Sequence, residues 1–394
     1  MTIRLYYADA DLRTFEARVV ACDAAGDRFH VRLDRTAFYP TSGGQPFDTG
    51  RLGDVRVVDV IDEDAGTIAH VVTDALPVGD PVRGEIDWAR RTDHRQQHTG
   101  QHILSAVLDT HFRAPTVSFH LGAHISTIDV ARELTPEDMT AAEDRANEVV
   151  WQDDPVEIRV VPAEQAMTLP LRKPTERTGD VRLVAIGDVD LSACGGTHVS
   201  STGRVGMIAV TGWERFKGGT RLSFVCGRRA LSSHRRFRDV AVAMGRHLSA
   251  GVDDIAAAVE RLQQELRASQ KHLATLEREL ALERARSWAA SAETIGPYRV
   301  VLRTDPGSDA ATLKALAQAI VAAPDLVAVV VGGGAPAPFV AARSADVGFD
   351  AAALVRTVTA ALGGRGGGRP ELAQGGAAAT PDEIVAFVRQ ALAS

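Results

Sequence analysis

Two short motifs far apart in this 394-residue chain restrict how it can fold. The first is His98-Thr-Gly-Gln-His102 and the second is Cys194-Gly-Gly-Thr-His198. Histidines at positions i and i+4 of a helix lie on one face and can bind the same ion. A cysteine and a histidine four residues apart, separated by a flexible Gly-Gly pair, can close on that ion. We therefore expect a fold that brings the two motifs together.

The combination of imidazoles with a soft thiolate favours zinc over harder cations. A lone HxxxH pair would be weak evidence, and Cys194 alone could be a small buried residue in a turn. The prediction of one zinc ion therefore depends on both motifs lying in one domain. The sequence leaves open whether the ion has four protein ligands, as in structural sites, or three and an open position, as in catalytic sites.

The pattern of short strands and helices predicts an α+β multidomain protein, in line with its length. Residues 1–88 alternate Val- and Ile-rich segments with turns, which is typical of a small β-barrel. Residues 89–227 mix helices and strands and contain both motifs. Predicted elements of these two regions are strands Phe15–Ala21, Arg28–Leu33, Val55–Ile61, Ile68–Val72, Val156–Val161, Val181–Ile186, Val205–Trp213 and Thr220–Val225, and helices Asp93–His111 and Thr135–Asp153.

Residues 228–292 are predicted to form a helical hairpin linker. The first helix is expected at Arg228–Leu248, and Gly251 marks the turn. In the second helix, a heptad pattern runs from Ile255 to Leu280, with Ser269 as its one polar member. This seam predicts coiled-coil packing, either within an antiparallel hairpin or against a second copy of the chain.

Residues 293–394 are predicted to form an α/β domain. Its elements are strands Arg299–Thr304, Leu326–Val331 and Phe339–Arg343 and helices Asp309–Ala322, Asp350–Leu362 and Pro381–Leu392. Between the last two helices, seven of the fourteen residues of Gly363–Gly376 are glycine, which predicts a flexible loop. Its two arginines, Arg365 and Arg369, suit contacts with phosphate or sugar.

The charge distribution restricts where a nucleic acid could bind. The formal net charge of −7 excludes a chain that is basic throughout. Residues 213–247 nevertheless hold nine Lys or Arg against two acidic residues. This segment is either a solvated helix face or a surface for RNA phosphates. The predicted contacts are Arg215, Lys217, Arg221, Arg228 and Arg229.

The cysteine content and the N-terminus predict a soluble, cytoplasmic protein with no membrane contact. Three cysteines cannot build a disulfide framework, which fits a reducing compartment. The first residues carry charges and lack an apolar signal region. No run approaches the length of about 18 apolar residues that a membrane span needs.

Five segments, in order, resemble alanyl-tRNA synthetase, four of them its editing domain, and the free-standing AlaX trans-editing proteins. Besides the two motifs, these are TAFYPTSGGQPFDTG (Thr36 to Gly50), ERFKGGTRLSFVCG (Glu214 to Gly227) and GGRGGGRPELAQGG (Gly363 to Gly376). The last resembles the Gly-rich signature of the synthetase's DHH-associated domain. The resemblance implies the long AlaX form, with an editing domain, a helical linker and a C-terminal domain but no synthetase core.

The resemblance implies an aminoacyl-tRNA deacylase without aminoacylation activity. Its substrate would be mischarged tRNA(Ala), most often seryl-tRNA(Ala) and also glycyl-tRNA(Ala), and the basic segment would contact the acceptor end. Thr36 and Gln45 match family positions near the substrate, and Gly43 and Gly44 would let backbone approach it closely. The C-terminal Gly-rich segment would contact tRNA or form a homodimer, as the helical hairpin also could.

Two other functions fit the same sequence. The chain could be a tRNA-binding module that lacks catalytic activity, although the intact metal motifs argue against this. It could also be a zinc hydrolase of another aminoacyl ester, although the linker, basic segment and C-terminal domain favour a large RNA substrate. The relative preference for seryl and glycyl esters cannot be read from the sequence.

Overall fold

The structure is a computed structural model that describes residues 1–63, 66–176 and 178–394. The chain divides into two compact units, residues 1–243 and residues 244–394. Each unit has its own hydrophobic core, so each is described by itself. The finer division at residues 88, 227 and 292 stays a prediction.

The first strands of the N-terminal unit close into a six-stranded barrel. Its strand order is β2-β3-β7-β6-β5-β8, and β8 pairs with β2 to complete the ring. Val31, Leu33, Leu52, Val60 and Ile68 are buried in its core. The strands are β1 (Ile3–Arg4), β2 (Thr14–Ala25), β3 (Arg28–Leu33), β4 (Arg35–Thr36), β5 (Gly50–Leu52), β6 (Val55–Glu63), β7 (Thr67–Val72) and β8 (Pro81–Ile86), with β1 and β4 forming a separate parallel pair.

A 25-residue helix, α1 (Trp88–Phe112), follows the barrel and carries the first motif. The Asp87 side chain caps its start by accepting a hydrogen bond from the Arg90 N–H. The helix begins five residues before the predicted start at Asp93. Its first turn is held by an ion pair and not by an apolar repeat, so the hydrophobic pattern did not show it. Arg91 in that turn is fully buried and pairs with the equally buried Asp48.

Two further sheets and helix α2 complete the first unit around α1. The sheets have strand orders β14-β15-β10-β9 and β11-β12-β13. As predicted, Thr135 caps α2 and exchanges hydrogen bonds with Asp138. The strand expected at Val205 begins at Ile208, because Thr202–Val205 form a 3-10 turn. The elements are β9 (Thr116–Leu121), β10 (Ser126–Val130), α2 (Pro136–Gln152), β11 (Val156–Pro162), α3 (Ala163–Ala166), β12 (Asp180–Ile186), β13 (Asp190–Ala193), β14 (Ile208–Phe216) and β15 (Gly219–Cys226).

Two long helices follow, α4 (Arg228–Leu248) and α5 (Ile255–Ala290). The bounds of α4 are those predicted from the sequence. In α5 the leucines of the predicted heptad seam are exposed, namely Leu262, Leu266, Leu273, Leu276 and Leu280. Pairing of this seam with another helix stays a prediction. Within the described residues, no helix combines the length and apolar content that crossing a membrane requires.

The C-terminal unit contains a six-stranded mixed sheet covered by helices. Its strand order is β16-β17-β18-β19-β21-β20, and only β17 and β18 run parallel. Every residue of β18 is buried, which fits a central strand. The elements are β16 (Glu293–Ile295), β17 (Tyr298–Asp305), α6 (Ala310–Ile320), β18 (Val327–Gly332), β19 (Ala337–Arg343), α7 (Ala351–Leu362), β20 (Gly364–Arg369), β21 (Leu372–Ala377) and α8 (Pro381–Ala393).

The segment Gly363–Gly376 is a β-hairpin, so the prediction of a flexible loop was wrong. Its strands β20 and β21 pair antiparallel along their whole length. A Cβ atom at Gly366 or Gly375 would lie 2.6 or 3.1 Å from the Val355 side chain of α7. The glycines therefore allow the helix to pack directly on the hairpin backbone, and this packing outweighs the low strand propensity of glycine.

Candidate metal centre and its cavity

The two motifs meet in the first unit, as the sequence predicts. His98 and His102 occupy successive turns of α1, and Cys194 and His198 lie in the loop after β13. One ligand atom from each of the four residues lies within 4.8 Å of the other three. The Cys194 Sγ lies 3.5 Å from His98 Nε2 and 3.4 Å from His198 Nε2. The cluster could hold a metal ion.

Each histidine of the cluster is held in place through its other ring nitrogen. The pairs are His98 Nδ1 with Gln45 Oε1 at 2.8 Å, His102 Nδ1 with Asp190 Oδ2 at 2.7 Å, and His198 Nδ1 with Thr99 Oγ1 at 3.1 Å. Such partners fix the ring orientation and leave Nε2 available as a ligand. All three histidines are therefore preorganised for the same ion.

Asp190 supports the cluster and was missed from the sequence. Its buried carboxylate also accepts hydrogen bonds from Arg172 Nε at 2.7 Å and Ser192 Oγ at 2.9 Å. Burial acts to raise the pKa of Asp190, but the hydrogen bond to His102 and nearby positive charge lower it to about 2. The carboxylate therefore stays ionised. The sequence signal for this role was the pair of polar residues Asp190 and Ser192, which alternate along a strand just before Cys194.

Cys194 lies in an environment that favours its thiolate form. Burial acts to raise its pKa, but the charges of His98 and His198 and the hydrogen bond to His102 hold the pKa well below the usual value. A thiolate is the form in which cysteine binds metals. Arg182, also missed from the sequence, fixes the loop by donating from Nη1 to the Cys194 carbonyl at 2.7 Å and to the Gly196 carbonyl at 3.0 Å.

Close packing explains one glycine in each motif. A Cβ atom at Gly196 would lie 2.1 Å from His98 Cε1, and one at Gly100 would lie 2.3 Å from Cys226 Sγ. Both distances are far inside van der Waals contact. Gly195 differs, because a Cβ there would meet its nearest atom, the Tyr7 hydroxyl, at 3.6 Å. Gly196 thus lets the loop rest against His98, whereas Gly195 has room for a methyl group.

A cavity of about 510 Å³ opens beside the cluster. Gly43 and Gly44 form part of its wall in left-handed conformations, with φ of 54° and 82°. A Cβ atom at Gly44 would lie 2.8 Å from the Phe119 ring. Among the described residues of the wall there is no acidic side chain. Other wall residues are Tyr7, Tyr39, Gln101, Thr116, Arg172 and Lys173.

Two residues predicted to lie near the substrate, Gln45 and Thr36, form hydrogen bonds with other residues of the protein. Gln45 is fully buried, its Oε1 accepts from the Thr197 N–H at 3.0 Å, and its Nε2 donates to Thr197 Oγ1 at 2.8 Å. Thr36 is also buried, and its hydroxyl pairs with His70 Nε2 at 2.8 Å inside the barrel region. Neither residue belongs to the cavity wall.

The basic residues predicted to contact RNA differ in whether their charged groups are exposed or already paired with carboxylates. Arg221 forms two hydrogen bonds with the Asp129 carboxylate at 2.6 and 2.9 Å, and Arg229 binds Asp93 at 2.6 Å. A phosphate would have to compete with these carboxylates. The remaining five are exposed, namely Arg215, which pairs with Glu133 at 3.2 Å, and Lys217, Arg228, Arg365 and Arg369.

Three family models match the chain. Residues 10–90 match the class II (A) tRNA synthetases, and residues 181–223 match the second additional domain of threonyl and alanyl tRNA synthetases. Residues 296–394 match the DHHA1 domain. The matches therefore include the barrel, the second motif and the Gly-rich hairpin.

The chain is also similar to curated proteins over most of its length. It is 32% identical to the alanyl-tRNA editing protein AlaX-L of Pyrococcus horikoshii, covering 98% of this chain and 96% of the relative. It is 34% identical to the alanyl-tRNA editing protein Aarsd1 of Mus musculus, covering 72% and 73%. It is 32% identical to the alanine–tRNA ligase of Pyrococcus abyssi, covering 95% of this chain but 42% of the ligase.

Proposed function

The chain belongs to the AlaX-type alanyl-tRNA editing proteins, and from this premise we propose that it deacylates mischarged tRNA(Ala) in trans. It is an aminoacyl-tRNA deacylase, a carboxylic ester hydrolase. The observation that carries the proposal is the cluster of three histidines and one cysteine beside an open cavity. The cavity volume lies within the range of about 300–1,000 Å³ typical of small-ligand sites.

We propose that the cluster holds one zinc ion. Zinc–nitrogen bonds of about 2.0–2.1 Å and zinc–sulfur bonds of about 2.3 Å in a tetrahedron place N and S ligands about 3.6 Å apart. The observed Sγ–Nε2 distances of 3.4 and 3.5 Å fit this value. His98, His102, Cys194 and His198 would be the ligands. When bound, the ion would supply a Lewis-acidic centre for the aminoacyl ester.

The proposed substrates are seryl and glycyl esters, because these are the errors that aminoacylation with alanine is expected to make. A pocket for alanine cannot strongly reject glycine, which lacks one methyl group, or serine, which adds one hydroxyl. Discrimination by such a pocket is about 10- to 200-fold, so a second hydrolytic site is needed for higher accuracy. The site in this chain would act as that second site, on tRNA released by another protein.

Several residues of the chain prepare the cavity for an ester. We assign Gly43 and Gly44 to its wall, where their bare backbone can approach the aminoacyl group closely. We assign Gln45 a positioning role, because its amide holds both His98 and Thr197. We assign Thr36 no direct contact with the substrate, because its hydroxyl is bound to His70.

The proposed contacts with tRNA use the exposed basic residues. In the first unit these are Lys217 and Arg228, together with Arg215, whose ion pair with Glu133 is exposed and therefore weak. In the second unit they are Arg365 and Arg369 on β20. Binding through phosphates would weaken as salt concentration rises.

Replacing Gly196 by alanine is expected to damage the metal centre. The new Cβ would overlap the His98 ring, so the ring or the loop must shift and the geometry of the candidate ligands would be distorted. We expect zinc affinity to fall by at least about 10-fold, the smaller effect typical of disturbed ligand support. Zinc content and chelator competition measure this, and Gly195→Ala is the matched control. Equal zinc affinity in the two variants would contradict the packing argument.

The direct test of the proposed function is a panel of mischarged tRNAs. The zinc-loaded protein is expected to hydrolyse seryl-tRNA(Ala), and glycyl-tRNA(Ala) if its selectivity is broad, while sparing alanyl-tRNA(Ala). Prior treatment with a chelator should remove the activity, and added zinc should restore it. The readout is release of the labelled amino acid.

The same panel separates the alternative functions. Binding of tRNA without turnover of any ester would indicate a module that lacks catalytic activity. Equal turnover of seryl-tRNA(Ala) and a free seryl alkyl ester would indicate a hydrolase that does not need RNA. Either result would overturn the proposal.

A further inference from the structure

Three buried glutamines near the metal centre differ in how their side-chain oxygens are satisfied. Gln45 Oε1 accepts a hydrogen bond from the Thr197 N–H at 3.0 Å. Gln97 Oε1 accepts one from the Cys226 N–H at 2.8 Å. Gln101 is as buried as these two, with 1% of its surface exposed, yet its Oε1 has no partner among the described residues. A buried acceptor without a partner is costly and needs an explanation.

Gln101 lies in the wall of the cavity, whereas Gln45 and Gln97 do not. It stands between His98 and His102 on α1, so its side chain is close to the proposed reaction centre. Its Nε2 donates to Ser105 Oγ at 2.8 Å, and Thr116 Oγ1 donates to the same oxygen at 2.8 Å. The bond from Nε2 to Ser105 directs Oε1, on the other side of the amide, away from Ser105. The amide is therefore preorganised with its acceptor unused.

We propose that Gln101 Oε1 accepts a hydrogen bond from the side-chain hydroxyl of the aminoacyl group, which makes Gln101 the residue that selects seryl esters. This inference rests on the proposed function and names its preferred substrate class. A seryl hydroxyl would pair the unused acceptor. An alanyl or glycyl group would leave it unpaired, and such sites discriminate strongly against the analogue that lacks the hydroxyl.

The surroundings of Gln101 favour a hydroxyl over the substrate's ammonium group as its partner. The described part of the cavity wall contains no carboxylate, which is the group that an ammonium ion would find most favourable. The hydroxyl of Ser105, which accepts a hydrogen bond from the Gln101 amide, is neutral. The charged wall residues Arg172 and Lys173 are cations, which repel an ammonium ion but not a neutral hydroxyl.

The test replaces Gln101 by methionine, which keeps the length of the side chain but removes the acceptor. We expect the ratio of kcat/KM for seryl-tRNA(Ala) to that for glycyl-tRNA(Ala) to fall by about 10- to 100-fold. The loss should come from the seryl substrate, with hydrolysis of the glycyl ester nearly unchanged. Zinc content, measured in parallel, should equal that of the wild type.

Gln97→Met is the matched control, because Gln97 lies one turn earlier on the same helix but its amide bonds to the backbone of Cys226 and to Asp93, outside the cavity wall. It should lower stability and affect both esters in the same proportion. If Gln101→Met does not fold, Gln101→Asn, which withdraws the amide by one methylene, should lower the same ratio.

Two results would overturn the inference. A proportional loss on both esters in the Gln101 variants would indicate a structural role or contact with the ammonium group. Absence of any turnover by the wild type would instead overturn the proposed function, and the inference with it. The two failures are distinguishable, because the second appears before any variant is made.

Discussion

Replacing Cys194 by alanine is expected to abolish zinc binding and to lower kcat/KM for seryl-tRNA(Ala) by more than about 100-fold. Loss of a residue that merely supports a ligand costs about 10- to 100-fold in metal affinity or activity, and loss of the ligand should cost more. Cys194 is also the one cysteine of the cluster, so only the three imidazoles would remain as ligands. Metal analysis and single-turnover deacylation measure the two effects.

Cys22→Ala provides the control for this experiment. Cys22 is a free cysteine in β2 of the barrel, and it is not a member of the metal cluster. The Cys22 variant should keep full zinc content and activity. Normal deacylation by a Cys194→Ala protein shown to contain no metal would refute the zinc assignment.

Replacing Asp48 by alanine is expected to lower the free energy of unfolding by about 3–5 kcal/mol, as removal of one partner from a buried ion pair does. The Asp48 carboxylate and the Arg91 guanidinium have no exposed surface, and Asp48 Oδ2 lies 2.5 Å from Arg91 Nη2. Asp48 Oδ2 also accepts from the Tyr39 N–H at 2.7 Å, and Arg91 Nη1 donates to the Ala10 carbonyl at 3.1 Å. The variant would leave a buried charge uncompensated.

Urea denaturation, followed by a probe in the first unit, measures this loss. Glu157→Ala is the matched control, because Glu157 pairs with Arg159 at 2.5 Å but both side chains are more than half exposed. Exposed pairs contribute about 0–1 kcal/mol. Similar losses in the two variants would contradict the role assigned to burial.

The ligand set of the candidate site could be predicted from the sequence, because each pair of ligands is local. The spacing of His98 and His102 is set by the helix, and the spacing of Cys194 and His198 by one short loop. The supporting residues Asp190 and Gln45 come from distant segments and meet the histidines only through tertiary packing. Sequence signals pointed to the individual residues, namely the polar alternation at Asp190 and the family match at Gln45, but not to the histidine that each one supports.

The helices were predicted best where local signals were strong. Thr135, Pro136 and Asp138 mark the start of α2, and the structure begins α2 there. The first turn of α1 was missed because Arg91 is anchored by Asp48 through long-range charge. The hairpin β20–β21 was missed because its glycines are explained by the contact with Val355 of α7, which the local sequence does not contain.

The spacing of the two motifs has a consequence for the physics of the unfolded chain. An ion bound by His102 and Cys194 would cross-link the ends of a loop roughly 90 residues long, and a covalent link of that span restricts the unfolded ensemble by about 4–5 kcal/mol in the chain-entropy model. That loop lies wholly inside the first unit. The ion would therefore act as a cross-link within this unit, and its loss would lower the free energy of unfolding of the fold that hydrolysis requires.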